Sequence, residues 1–188
     1  IRQHKAVASE FMDRLESGEL SLRVTHNDTK LNNVMIDDLT GKGICVIDLD
    51  TIMPGLAMND FGDSIRFGAS TAAEDEIDLT KVSCDMNLYE IYLRGFLKGC
   101  NGKLTSKEME LLPFGAKVMT FECGMRFLTD YLEGDHYFKI HRENHNLDRC
   151  RTQFKLVEDM ENKWEIMQKI TEKYRRMYKQ EKSDYFGY

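Results

Sequence analysis

The order of hydrophobic patterns along this chain predicts an α+β fold that is predominantly helical. Three observations carry that expectation. Short β-prone runs cluster in the first third, helical periodicity takes over from Asp85 onward, and neither Pro54 nor Pro113 sits in a Gly-, Ser- or Pro-rich linker. With 188 residues and 41% hydrophobic content, the chain is of a size for one domain with a buried core.

The elements are expected in this order. Ala6, Val7, Phe11, Met12 and Leu15 recur at helical spacing, and Gly18 follows as a stop. Three strand candidates come next, at residues 22–26, 33–36 and 44–49, with the turn-rich stretch 37–43 suited to a hairpin between the last two. The acidic run 74–78 reads as a solvated helix start, since carboxylates favour the amino end of a helix dipole. Helices are then expected over 88–97, 106–112 and 114–132, followed by one long polar-rich helix over 147–182. Residues 173–182 mix both charge signs with Tyr174 and Tyr178, the pattern of a frayed surface helix. Trp164 and the methionines Met119, Met125 and Met160 fall on the helical stretches, where core filling is the default.

Composition excludes several classes. A net charge of −6 offers no basic excess for nucleic acid or an anionic membrane. The five cysteines are odd in number and form no C-x-x-C pair, so neither a disulfide framework nor a thiolate zinc site is indicated, and a reducing, cytoplasmic setting is expected. His141 and His145 would share a helical face, but no Cys or carboxylate at a convincing spacing completes a zinc set with His136. The absence of an apolar stretch near ~20 residues predicts a soluble protein without a membrane span.

The informative stretch is His26-Asn27-Asp28, four intervening residues, then Asn33, followed by Ile47-Asp48-Leu49-Asp50. Phosphoryl transfer from ATP needs an oriented hydroxyl, a proton acceptor beside it and Mg²⁺ against the phosphates. Asp28 on a tight loop suits the proton acceptor; Asn33 and a strand-end Asp48 supply hard oxygen ligands, and the hairpin return brings Asp48 beside the loop. Singly, each is an ordinary turn residue; the spacing between two β-prone runs makes them a phosphotransfer motif.

These segments resemble the catalytic loop and metal-binding strand of the aminoglycoside phosphotransferase and choline kinase superfamily. The resemblance implies the C-terminal lobe of a protein-kinase-like fold over residues 1–188, its small β-hairpin region carrying the catalytic loop. Asp28 would be the catalytic base, His26 a loop-orienting residue, and Asn33 and Asp48 the Mg²⁺ ligands. Asp63, in the segment Asp60-Phe61-Gly62-Asp63, would brace the loop, with Asp60 as the second candidate. Protein kinases usually carry Arg at the second loop position and Asp-Phe-Gly as the metal motif; Asn27 and Asp48-Leu49-Asp50 depart from both and favour a metabolite kinase.

Within that superfamily, the stretches THNDTKLNNVM, CVIDLDTIMPG, DFGDSIR and the run from Thr120 to Leu156 resemble the N-acetylhexosamine 1-kinase branch. That implies ATP and a small sugar as partners, with Arg126 and Tyr137 touching the sugar along with Asp28. The ordinary role for Arg126 is an ion pair with Glu122 or Asp130 one turn away, and the branch's pocket tryptophan falls near Trp164. No Gly-rich strand pair or strand with a phosphate-gripping Lys precedes Ile1, so the nucleotide-binding lobe is expected to be missing and the chain by itself to bind ATP weakly or not at all. Other acceptors (choline, homoserine, methylthioribose, an aminoglycoside) and a non-catalytic sugar-binding pseudokinase are the alternatives. A sulfatase is disfavoured, because neither proline has the Cys/Ser-x-Pro-x-Arg context.

Overall fold

The computed structural model describes the backbone of residues 5–185 and the side chains of residues 9–178. The first helix, α1 (Lys5–Glu16), is stopped at Gly18, whose φ of +77° is the left-handed turn a glycine adopts at little cost. It buries Phe11 edge-on against Phe114, at 5.2 Å between ring centres, while Met12 stays exposed. Ala6 and Val7 lie outside the described side chains.

Four short strands follow: β1 (Arg23–Thr25), β2 (Val34–Ile36), β3 (Gly43–Val46) and β4 (Met53–Gly55). They form two separate antiparallel pairs, β1 with β4 and β2 with β3. The β2–β3 pair is the expected hairpin, with Val34 opposite Val46 and Met35 opposite Cys45. Its turn closes because the Asp37 carboxylate accepts the amides of Leu39 and Thr40 and Gly41 takes φ +65°. β4 has no counterpart among the expected strands: its three residues, Met-Pro-Gly, lack strand propensity, and pairing with β1 rather than local preference makes it a strand.

All three expected strands are shorter than their sequence runs. Asn33 closes a 3₁₀ turn (Leu31–Asn33) instead of opening β2, and Asp48 lies beyond β3 in a left-handed corner with φ 63°, not on the strand itself. The Asn33 side chain serves the loop rather than the ladder, donating to Asp28.

The helical body is built on α2 (Ala57–Gly68), which the periodicity reading did not pick out because Asp60, Gly62, Asp63 and Gly68 interrupt its apolar pattern. Met58, Phe61 and Ile65 nevertheless share one fully buried face. Full burial of a side chain of this size contributes about 2–3 kcal/mol. Phe61 packs edge-on against Tyr89 at 5.8 Å on α3 (Met86–Cys100), and tilted against Phe96 at 5.3 Å. On its other side α2 crosses α5 (Leu112–Glu133) at backbone contact. A Cβ on Gly62 would lie 2.3 Å from the Gly115 carbonyl oxygen, and one on Gly115 would lie 2.3 Å from that of Met58. Only glycine permits that approach.

The short α4 (Ser106–Glu110) begins with a capping box between Thr105 and Glu108, and α5 starts with Pro113 in its first turn. The single helix expected over 147–182 is two, α6 (His145–Asn162) and α7 (Trp164–Tyr185). The break is at Lys163, whose ammonium is held by Asp159, Ser83 Oγ and the Cys84 carbonyl. It frees α7 to leave the α5–α6 layer and pack across α3 and α4. Trp164, expected in the core, is half-buried at the break, with Lys117 Nζ 5.1 Å from its ring.

The acidic run 74–78 is a loop, not a helix start: Glu74 pairs with Arg66, Asp75 with His145, and Asp78 caps a 3₁₀ turn (Leu79–Lys81). Distant side chains hold Glu74 and Asp75, and a local cap holds Asp78, so no α-helix dipole is involved. Among the described residues no helix is long and apolar enough to cross a membrane.

Candidate active site

The stretch His26–Asn33 runs from the end of β1 through the 3₁₀ turn and is held from three sides. The Asp60 carboxylate on α2 accepts the backbone amides of His26 (2.9 Å) and Asn27 (2.8 Å). Thr29 Oγ1 donates to the Asp60 carbonyl at 2.6 Å, and Thr51 Oγ1 donates to the His26 carbonyl at 2.6 Å. The two amide bonds let Asn27 sit at φ 64°, outside the usual range for a side-chain-bearing residue. Asp60 is thus the brace of the loop backbone. Asp63, to which the resemblance assigned that role, reaches the loop only through Thr29 Oγ1 at 3.5 Å and is otherwise engaged by Arg66 at 2.9 Å. Burial pushes the Asp60 carboxyl upward; the two amides and His26 oppose that shift without cancelling it.

His26 links the loop to the β3 end. Its Nδ1 accepts the Asp28 amide at 3.3 Å, so Nε2 carries the proton and donates to the Ile47 carbonyl at 3.1 Å. The Ile47 amide in turn donates to the Asn33 carbonyl at 2.9 Å, which places Asp48 next to Asn33 through backbone register alone.

Asp28 is the focus of these contacts. Its Oδ2 accepts from Lys30 Nζ at 2.7 Å and from Asn33 Nδ2 at 2.8 Å. Burial works against the charged form, but the hydrogen bonds from Lys30 and Asn33 prevail and hold the carboxyl below the usual aspartate range. Asn33 spends its amide nitrogen on Asp28, so its carbonyl oxygen is the atom left to a ligand. The Asp48 carboxyl is raised, first by hydrogen bonding with Asp50 and by that residue's charge, then by burial and the charge of Asp28. Neighbouring carboxylate oxygens of this kind are the hard donors that a dication such as Mg²⁺ takes. Among the described residues there is no group of three or more His, Cys, Asp or Glu side chains that could hold a metal by themselves.

Asp28 and Lys30 open onto a cleft of about 540 Å³. Arg66, paired with Asp63 and Glu74, lies in its wall, as does Cys123, whose thiol burial pushes up to about 12 and so keeps out of nucleophilic chemistry. Arg126, Tyr137 and Phe138 also line the cleft. The Arg126 guanidinium lies 5.7 Å from the Tyr137 ring and 5.4 Å from that of Phe138, and its Nε is 3.7 Å from Glu122. The alternative pairing of Arg126 with Asp130 does not form, because Asp130 is turned inward. Its carboxylate accepts the amides of His136, Tyr137 and Phe138 and fixes the loop that carries the aromatic pair. Burial would raise the Asp130 carboxyl, and the amides, Phe138 first, outweigh it and leave it lowered.

The structure therefore joins His26, Asp28 and Asn33 by hydrogen bonds, with Asp48 next along the chain from the Ile47–Asn33 link, and it sets Asp28, Arg126 and Tyr137 along one cleft that Trp164 does not line. His141 borders the cleft, while buried His145 is tied to Asp75 at 2.9 Å. Sequence reasoning missed Lys30, Arg66 and Arg149 as cleft residues. Lys30 had a local signal, a cation two residues beyond Asp28 inside the motif; the two arginines had none, since separate helices bring them to the cleft.

An aspartate loop braced on a helix, with amide and carboxylate oxygens at the end of a hairpin and a cleft in a helical body, defines the C-terminal lobe of a kinase-like phosphotransfer enzyme. The chain belongs to the phosphotransferase enzyme family: that family's model matches residues 2–95, half of the 188. The match contains the whole aspartate loop, the hairpin and α2 and ends within α3, so Arg126 and Tyr137 lie beyond it.

Proposed function

We propose that this chain is the catalytic and acceptor-binding lobe of an ATP- and Mg²⁺-dependent kinase that converts an N-acetylhexosamine, GlcNAc or GalNAc, to its 1-phosphate. The reading is carried by Asp28, a charged carboxylate fixed at the mouth of a cleft of small-molecule size. Its Oδ2 is occupied by Lys30 and Asn33, and Oδ1 takes the proton of the anomeric hydroxyl as the sugar oxygen bonds to the γ-phosphorus and ADP leaves. Lys30 keeps Asp28 ionised and adds positive charge beside the transferred group. Asn33 Oδ1 and the Asp48 carboxylate would hold Mg²⁺, which supplies charge neutralisation at the phosphate oxygens.

Tyr137 and Phe138 offer apolar faces to the sugar's C–H surface, and Arg126 offers donors to its hydroxyls. The cleft carboxylates Asp28, Asp63, Glu74 and Glu122 each face a cationic side chain of the protein, which argues against choline or an aminoglycoside as the acceptor. The exposed Ile44, Val46, Leu49 and Ile52 around Asp48 suit the docking of a nucleotide-binding lobe.

The test is Asp28→Asn in the full-length protein. Turnover of ATP on GlcNAc and GalNAc should fall by about 10²- to 10⁴-fold, with sugar affinity near that of the wild type. Retained turnover rejects the assignment, and a faster rate on choline or homoserine in the same assay rejects the substrate.

A further inference from the structure

The charges along the cleft do not balance. Lys30 is paired with Asp28 at 2.7 Å, Arg66 with Asp63 and Glu74 at 2.9 and 2.6 Å, and Arg126 faces Glu122 at 3.7 Å. Lys139 and Arg149 line the same cleft, and no carboxylate pairs with either among the described residues. Arg149 is half-buried, where an arginine is ordinarily matched by an anion.

Arg149 is positioned all the same. Asn146, fully buried, donates through Nδ2 to Asp130 at 2.8 Å and to Asp135 at 2.8 Å. Those two bonds turn its carbonyl oxygen toward Arg149 Nη1, which it accepts at 2.9 Å; the Lys139 carbonyl accepts the same nitrogen at 3.2 Å. The guanidinium also lies 5.4 Å from the Phe127 ring. Its Nε is enclosed without a hydrogen-bond partner, and both bonds it makes use Nη1. The side chain is thus held by neutral acceptors and an aromatic face, with Asp130 and Asp135 one side chain away behind Asn146 and no carboxylate hydrogen-bonded to the guanidinium itself. A buried network that orients a cation without neutralising it leaves that charge to a ligand.

We propose that Arg149, with Lys139 beside it, is the specificity-determining site of this cleft and takes a planar oxygen of the acceptor: an amide carbonyl, as in an acetamido group, or a carboxylate. The site rests on the reading of the cleft as the acceptor pocket. The fork of the guanidinium matches an sp² oxygen, whereas a plain hexose presents hydroxyls only. Asp130 is shared by this site and the aromatic wall, so one buried carboxylate sets both.

The experiment is calorimetric titration of the chain, without nucleotide, with GlcNAc, glucuronate and glucose, for wild type, Arg149→Met, Arg149→Lys and Lys139→Met. Wild type should bind GlcNAc or glucuronate more tightly than glucose, the favoured ligand telling an amide from a carboxylate source. Arg149→Met should weaken the favoured ligand by about 10- to 100-fold and leave glucose unchanged; Arg149→Lys and Lys139→Met should each give a smaller loss. Thermal melts of each variant check folding, and the surface change Lys139→Met keeps the test open if Arg149→Met unfolds. No preference over glucose in wild type, or a preference that survives Arg149→Met or Lys139→Met, overturns the proposal. Because this readout is binding without ATP, it separates from the kinase test: an Asp28→Asn enzyme that still turns over removes Asp28 as the base and leaves the Arg149 site standing, whereas loss of the preference for GlcNAc or glucuronate over glucose leaves the Asp28 assignment untouched.

Discussion

The β region, residues 23–55, and the helical body beyond it are built on opposite principles. In the body, Met58, Phe61, Ile65, Leu112 and Leu156 are fully buried. In the β region, Val24 is 83% exposed, Leu39 95%, and Ile44, Val46 and Leu49 are exposed as well. Yet the β region carries Asp28, Asn33 and Asp48. Two-stranded pairs bury too little apolar surface to stand alone, so this segment keeps its shape through polar links to α2 and α4. Stability and chemistry are accordingly carried by different parts of the chain and should respond to different substitutions.

The largest effect should come from the core. Phe61→Ala removes a fully buried ring wedged against Tyr89 and Phe96, and should cost about 3–5 kcal/mol in urea unfolding. A loss under 1 kcal/mol would mean that α2 is not the centre of the body.

The next effect belongs to the seam between the two regions. Arg23 on β1 pairs with buried Glu108 on α4 through two hydrogen bonds of 2.6 and 2.7 Å. Burial raises the Glu108 carboxyl, but Arg23 and the Thr105 amide outweigh it, so the folded pKa is depressed. A depressed carboxyl contributes stability above its unfolded pKa that is lost as pH falls through the folded one. The contribution should therefore be complete at neutral pH and fade below about pH 4. Glu108→Gln should lower neutral-pH stability by about 1.5–3 kcal/mol and flatten the acid limb of a melting-temperature profile. An unchanged acid limb would show that other carboxylates control it.

The smallest effect on global stability should come from Asp60→Asn, which withdraws charge from the two amide bonds at His26 and Asn27. Melting should shift by less than for either change above, while amide exchange at His26 and Asn27 speeds up by about 10-fold or more. Equal acceleration across α5 would erase the distinction between the two regions.

The sequence showed the motif better than its mounting. His26, Asp28, Asn33 and Asp48 were legible because their spacing is local, and the hairpin was legible because Asp37 and Gly41 punctuate it. The sequence leaves the brace between two aspartates: Asp60 and Asp63 are one helical turn apart, and only the orientation of α2 decides that Asp60 takes the loop amides while Asp63 meets Thr29. That orientation depends on a helix hidden by its own glycines, of which Gly62 lets α5 approach and Gly68 makes room for Tyr92 of α3. The break at Lys163 escaped notice for a similar reason. Periodicity runs smoothly across it, and the partners that pin the lysine, Ser83 and Cys84, are about 80 positions away in the chain. Arg149 has no local signature at all, since what marks it is the missing counter-charge.

The Gly62–Gly115 contact has a mechanical consequence. With two backbones touching, α2 and α5 cannot slide or rotate past each other without a steric clash, so Asp60 and Arg126, one on each helix, belong to a single rigid piece. The aspartate loop and one wall of the cleft then keep a constant separation, like the jaws of a fixed-gap gauge. A substitution that separates the two helices should therefore disturb the loop and the Arg126 wall together, and not one without the other.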